Sequence, residues 1–307
     1  MTTPAEPVPA APVLVGILDP STQTALLEHA GRLAATGGHP LRLVYVVQAN
    51  VLFGDPILGL PGAMEPRSMI IDDSAVGRLA EQRLSEATAR IRDIVDGAVE
   101  VTGELLRGHA AHVLIKESEG AHRVMLQRRA ISRVRRVFTG SVSAHVAAHA
   151  HCPVTVVPEG WSADGRTGVV VGVGNDKTDD QVLAHGLDEA SRLDEPVTVL
   201  HGLDLMALHG EFADHVTTHE WKTRAERYLA DLIERARSQA PENARTSLEG
   251  RVLAEAPADA LVAAGDAATL LVVGRASHLL AFPHLGGVTR ALLREAACPV
   301  DVLPLPG

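Results

Sequence analysis

The chain reads as an α/β protein of two tandem open parallel-sheet domains, and two observations predict this. The first is internal duplication. Cys152-Pro-Val-Thr-Val-Val-Pro158 returns as Cys298-Pro-Val-Asp-Val-Leu-Pro304, and Gly140-Ser-Val-Ser143 and Gly286-Gly-Val-Thr289 stand at the same distance upstream. Val13-Leu-Val-Gly-Ile17 likewise returns as Val169-Val-Val-Gly-Val173, and Pro40-Leu-Arg-Leu-Val44 as Pro196-Val-Thr-Val-Leu200. The second is the regular alternation of short β-rich runs with helical spacings, which specifies parallel strands joined by right-handed crossovers and covered on both faces. A length of 307 residues divides into two units of about 150, each large enough for its own core. The expected domains span 12–158 and 168–304.

Each element has a local reason. The first eleven residues, rich in Pro, Ala and Thr, carry no periodicity and read as a disordered lead. Val13 to Leu18 is a continuous apolar run, as a buried parallel strand requires, and Asp19-Pro-Ser21 ends it and offers Asp19 or Ser21 as a helix cap. Ala25, Leu26, His29, Ala30 and Leu33 mark a helical face that Gly37-Gly38 closes. Leu41 to Val47 is the next strand. Asn50 to Asp73, punctuated by Gly and Pro, is a long loop, and Val76 to Val95 resumes helical spacing. Strands follow at Val99 to Leu106, Val124 to Leu126 and Val154 to Val157, with helices at Ala110 to Glu119 and Val142 to Ala150. The polar segment Glu159 to Gly165 is the linker. In the second half, strands are expected at Gly168 to Val173, Val197 to Leu203, Ser247 to Leu253, Thr269 to Val273 and Val300 to Leu303. Helices are expected at Asp180 to Leu193, Thr218 to Ala240, Ala258 to Ala264 and Thr289 to Glu295.

Composition removes several function classes. A formal net charge of −10 and 3% aromatic residues oppose a nucleic-acid surface, which needs a basic field and stacking platforms. No apolar run reaches membrane-spanning length and the opening residues lack a secretory pattern, so the expectation is a cytoplasmic protein. Cys152 and Cys298 occupy equivalent strand starts in separate halves, where buried free thiols are usual, so no disulfide framework is expected.

With Gly140-Ser-Val-Ser143 ahead of an alanine-rich helix, Leu271-Val-Val-Gly-Arg275, Gly286-Gly-Val-Thr289 and the two Cys-Pro-Val segments, the chain resembles the universal stress protein family in its tandem two-domain form. The resemblance covers Pro12 to Pro304. It implies five-stranded parallel, adenine nucleotide alpha hydrolase-like domains that pair through their last strands, here near Thr155 and Asp301, as an intramolecular pseudo-dimer. Further homodimerisation is compatible with it.

Nucleotide-binding members of that family place ATP phosphates on a Gly-x2-Gly-x9-Gly-[Ser/Thr] loop, where glycines admit the phosphates to backbone amides at a helix N-terminus. In the first half the pattern falls on Gln127, Ala130, Gly140 and Ser141, so two glycines are lost. In the second it falls on Gly274, Ser277, Gly286 and Gly287, with Arg275 able to add charge and Thr289 expected to cap the following helix. The carboxylate at the end of the first strand is matched by Asp19 and by Asn175 beside Asp176; the main-chain adenine contact by Val46 and Gly202; the glycine before the third helix by Gly108, with Glu255 in the second half. Any ATP or other adenine nucleotide therefore belongs in the second half. Arg128, Arg129, Arg133, Arg135 and Arg136 crowd the first-half loop and read as a solvated basic run.

His145, His149, His151 and Cys152 are the only sequence-local cluster with metal-like chemistry. Their second-half counterparts are Ala291, Glu295, Ala297 and Cys298, so the residues read as a helix-end histidine pair and no metal site is expected. His109, His112, His201, His209, His215 and His278 have no partner that sequence identifies. No nucleophile elbow, P-loop lysine or general base stands near the loops. The expected function is a non-enzymatic regulatory or protective binding module with degenerate nucleotide sites and a protein partner. The alternatives are an ATP sensor acting through the second half and a slow ATPase.

Overall fold

The structure is a computed structural model, and it describes residues 10–47, 73–128, 142–174, 176–203, 218–239, 248–275 and 285–304. The first half runs β1 (Val13–Ile17), α1 (Thr24–Gly37), β2 (Leu41–Val47), α2 (Asp73–Val95), β3 (Val101–Arg107), α3 (Ala110–Glu117), β4 (Arg123–Arg128), α4 (Val142–His149) and β5 (Val154–Pro158). The second runs β6 (Val169–Gly172), α5 (Asp179–Leu193), β7 (Val197–Gly202), α6 (Thr218–Gln239), β8 (Leu248–Leu253), α7 (Pro257–Ala264), β9 (Leu270–Gly274), α8 (Gly287–Glu295) and β10 (Val300–Leu303). Every described element has a sequence-predicted counterpart, and ends differ by a residue or a few. The largest shift is at α2, which begins at Asp73 rather than at the expected Val76, and at α3 the expected tail to Glu119 becomes a 3-10 turn at Ser118–Gly120.

Two caps differ from expectation. Helix α1 begins at Thr24, because the Asp19 carboxylate turns back onto the Ser21 amide at 3.2 Å and hydroxyl at 2.6 Å and does not cap the helix. Helix α8 begins after Gly286, which leaves Thr289 inside the first turn, where its hydroxyl donates to the Gly274 carbonyl at 3.3 Å. Gly38 ends α1 in the left-handed conformation at φ 66°, as the Gly37-Gly38 stop predicts.

All ten strands among the described residues form one sheet, ordered β3-β2-β1-β4-β5-β10-β9-β6-β7-β8. Strands within each half are parallel, and the halves meet where β5 and β10 run antiparallel, with Thr155 opposite Asp301 and Val156 opposite Val300. Without this pairing, each last strand would be a bare apolar sheet edge. Alternation along these strands sets the two faces. Val154, Val156, Val300 and Val302 enter one core that is continuous across both halves beneath α3, α4, α7 and α8. On the other face each half keeps a separate core, one under α1 and α2 and one under α5 and α6. Thr155 and Asp301 point to that face, and polar chemistry fills the gap between the two cores.

Cys152 and Cys298 are free and buried, and burial pushes both thiols up to about 12. Among the described residues no helix is long and apolar enough to cross a membrane.

Candidate functional site

The carboxyl ends of the strands carry the expected ligand positions. In the first half the loop after β1 is closed from within: the Gln23 side-chain oxygen accepts from the Leu18 amide at 2.8 Å and the Asp19 amide at 3.0 Å, while its nitrogen donates to the Gly16 carbonyl at 3.0 Å. Arg83 from α2 donates to the Leu18 carbonyl at 3.0 Å and lies 3.4 Å from the Asp19 carboxylate. Gln127, at the end of β4, donates to the Thr22 carbonyl at 2.7 Å, so its side chain spans the space between the β4 and β1 ends. Val46 is half-buried in β2, paired with Leu106. Gly108 sits at φ 140°, a backbone region that L side chains rarely adopt, and its amide donates to the Val47 carbonyl at 3.0 Å. Ala130, Gly140, Ser141 and the arginines beyond Arg128 lie outside the described residues, as do the long loop over 50–72 and the first nine residues.

The second half repeats this closure with a charge. Asp179 occupies the position equivalent to Gln23, and its carboxylate accepts from the Gly174 amide at 3.1 Å, the Asp176 amide at 3.0 Å and the Tyr228 hydroxyl at 2.7 Å. Burial, reinforced by that hydrogen bond to Asp179, drives the Tyr228 phenol well above its ordinary range. The Asp176 carboxylate accepts from the Thr178 amide and hydroxyl, at 3.0 and 3.1 Å. Gly202 ends β7, and a Cβ there would lie 2.6 Å from Pro257 Cα at the start of α7. Gly274 ends β9 opposite Leu303; Gly286 and Gly287 open α8; Glu255 is exposed in the turn before α7. Asn175 and Ser277 lie outside the described residues.

Arg275 is placed differently from expectation. Its guanidinium reaches across the pseudo-dimer and donates to the carbonyls of Ala148 at 3.0 Å and Ala150 at 3.1 Å, at the C-terminal end of α4. Arg128, its counterpart at the end of β4, reaches the opposite way and donates to the Ala296 carbonyl at 2.7 Å, at the end of α8. Each half thus supplies a cation to the negative end of the other half's last helix. This exchange engages the guanidinium that the sequence offers to a phosphate.

The interface face carries a cluster that sequence reading did not find. Arg123 is 1% exposed and donates to Asp301 at 2.7 Å, Thr155 at 2.9 Å and Glu189 at 2.5 Å. His185 bonds the same Asp301 oxygen at 2.7 Å, and Arg192 also bonds Glu189. Burial works to raise the Asp301 carboxyl, but the Arg123 charge and the His185 hydrogen bond hold it far below the usual carboxylate range. His185, Glu189 and Asp301 bring their ligand atoms within 4.8 Å of one another, a metal-like spacing. Arg123 already donates to both carboxylates, so the cation of this group is an internal one. A legible signal existed: Arg123 falls, in strand register, on the position that Leu270 fills in the second half.

His29, the counterpart of His185, packs edge-on against Trp161 of the linker at 5.3 Å. Burial, and then the nearby Arg123 charge, lower its pKa from 6.5 to about 4. His122, stacked on His39 and also near Arg123, falls to about 4 by burial and those neighbours. With folded values below the unfolded ones, the unfolded chain holds more protons between pH 6.5 and 4. Stability should therefore fall as pH drops through that window, by on the order of 3 kcal/mol for His29 alone. Urea midpoints at pH 7 and pH 4.5 check this, and His29→Gln should flatten the difference; an equally steep fall in the variant would remove His29 as its source.

The family model described as the universal stress protein family matches residues 10–158 and again 166–304. The chain belongs to the universal stress protein family. It is 31% identical over 226 residues to Universal stress protein Rv1996 of Mycobacterium tuberculosis, covering 68% of this chain and 67% of the relative. Universal stress protein Rv2623 of the same organism is 28% identical over 306 residues, covering 94% and 95%. Among solved structures, a universal stress protein from Archaeoglobus fulgidus superimposes with a TM-score of 0.63 at 17% identity, covering 95% of this chain and 96% of that one. This tandem member of the family carries both copies of its fold in a single continuous sheet.

Proposed function

We propose that this tandem universal stress protein is a non-enzymatic regulatory or protective binding module whose nucleotide sites are degenerate. The observation that carries the reading is that the polar groups at the strand ends are engaged by the chain itself. Gln23 takes the Leu18 and Asp19 amides, Gln127 bridges to Thr22, and Asp179 takes the Gly174 and Asp176 amides. Arg275 serves the opposite half. A nucleotide arriving in the second half meets the Asp179 carboxylate on the amides after β6, with Asp176 and Glu255 adding like charge. Among the described residues, the Asp176 and Asp179 carboxylates are engaged by neighbouring amides and hydroxyls, which disfavours either as the general base of a slow ATPase.

The second reading is an adenine-nucleotide sensor acting through the second half. It is favoured by Gly287 at the start of α8, where an added Cβ would meet nothing within 4 Å among the described residues. Native mass spectrometry of the purified chain separates the two. A bare chain mass, alone or with a protein partner, is expected. A mass increment of an adenine nucleotide on a substantial fraction of molecules would favour the sensor.

A further inference from the structure

We propose that His109, His112, His145 and His149 form a surface site for a divalent transition-metal ion of the Zn2+ or Ni2+ class. Sequence spacing brings only His145 and His149 together. The fold adds the other two, because α3 packs beside α4 and His109 and His112 stand at the start of α3. The four rings form an unbroken row: His109 to His112 with centroids 4.9 Å apart, His112 to His145 at 5.9 Å, His145 to His149 at 4.5 Å. As placed, no three of their ring nitrogens lie within 4.8 Å of one another; His109, His112 and His145 are exposed, so their side chains are able to turn about χ1 and χ2 toward the half-buried His149 and converge on one ion about 2.0–2.1 Å from each nitrogen.

One further feature suits the rings to ligation. The His145 carbonyl can only accept, so His149 Nδ1, 2.9 Å away, donates to it; the neutral ring then presents a lone pair at Nε2. The fold itself does not call for histidine at these places. The second half builds the same helix pair with Ala256, Asp259, Ala291 and Glu295 in the equivalent positions. His151 and Cys152 do not join: His151 faces Glu119 at 3.7 Å, and Cys152 Sγ is in the core.

Calorimetric titration of the full, tag-free chain with ZnCl2 and with NiCl2 tests this. One saturable site per chain is expected, and a His112→Ala/His145→Ala double variant should bind at least about tenfold more weakly. His219→Ala, on the exposed start of α6, should leave affinity unchanged. Unchanged circular dichroism in each variant establishes that folding is intact. The proposal is overturned if neither metal binds saturably, if the double variant binds as tightly as the original chain, or if His219→Ala weakens binding equally.

Discussion

Replacing Arg123 by alanine is expected to destabilise the chain by about 3–5 kcal/mol, the range for removing one partner of a buried ion pair. The expected size follows from what remains behind. Asp301 is 0% exposed and Glu189 2% exposed, and the substitution leaves both carboxylates with their principal cation gone. Asp301 retains Thr155 and His185, and Glu189 retains Arg192, which limits the loss. Exchanging the group together, Arg123→Met with Asp301→Leu and Glu189→Met, should recover most of it, because no charge is then buried unpaired. Arg123 and Thr155 come from the first half and His185, Glu189 and Asp301 from the second, so the loss should appear as one shifted transition. Urea unfolding followed by circular dichroism and tryptophan fluorescence measures it. A shift below about 1 kcal/mol would mean that the cluster is open to water in solution.

Gly202→Val is expected to cost at least about 1–3 kcal/mol, the usual range for overpacking. A Cβ at Gly202 would lie 2.6 Å from Pro257 Cα and 3.0 Å from Pro257 N, and backbone at a helix start yields only if α7 moves. The first half solves the same packing with the opposite pair, Val46 in the strand and Ala110 at the helix start. Pro257→Ala removes none of the three atoms that the Cβ would meet, so it should not rescue Gly202→Val; urea unfolding of both variants measures this. An unshifted midpoint in Gly202→Val would show that the glycine is not retained for this contact. The prediction concerns function too, because Gly202 is an expected adenine contact and its lack of a side chain has a sufficient structural reason.

Much of this fold was legible because duplication exposes it twice. The Thr155 to Asp301 pairing followed from two matching terminal strands that the family resemblance joins, and it is the observed register. Helix ends were less legible where a polar side chain had a choice of partners. Asp19 looked like a cap and instead closes its own turn, and Thr289 bonds a strand carbonyl. The site was legible as a set of positions but not as a set of bonds. Gln23 and Asp179 stand at equivalent places in the repeat, yet nothing in their spacing says that they turn back onto the amides beside β1 and β6. Arg275 reads as a phosphate ligand and Arg128 as part of a solvated basic run because their partners, Ala148 with Ala150 and Ala296, are far away in sequence and belong to the other half. The row of four histidines escaped for the same reason: α3 and α4 are neighbours only once β4 has been laid between β1 and β5.

The most direct measurement is a calorimetric titration of ATP with Mg2+ into the unmutated chain. With Gln23 and Asp179 on the loop amides and Arg275 engaged across the interface, no saturable binding is expected up to millimolar nucleotide. Saturable binding at micromolar ATP, lost in Gly274→Val but kept in Gly140→Val, would contradict it and establish the second half as a working nucleotide site.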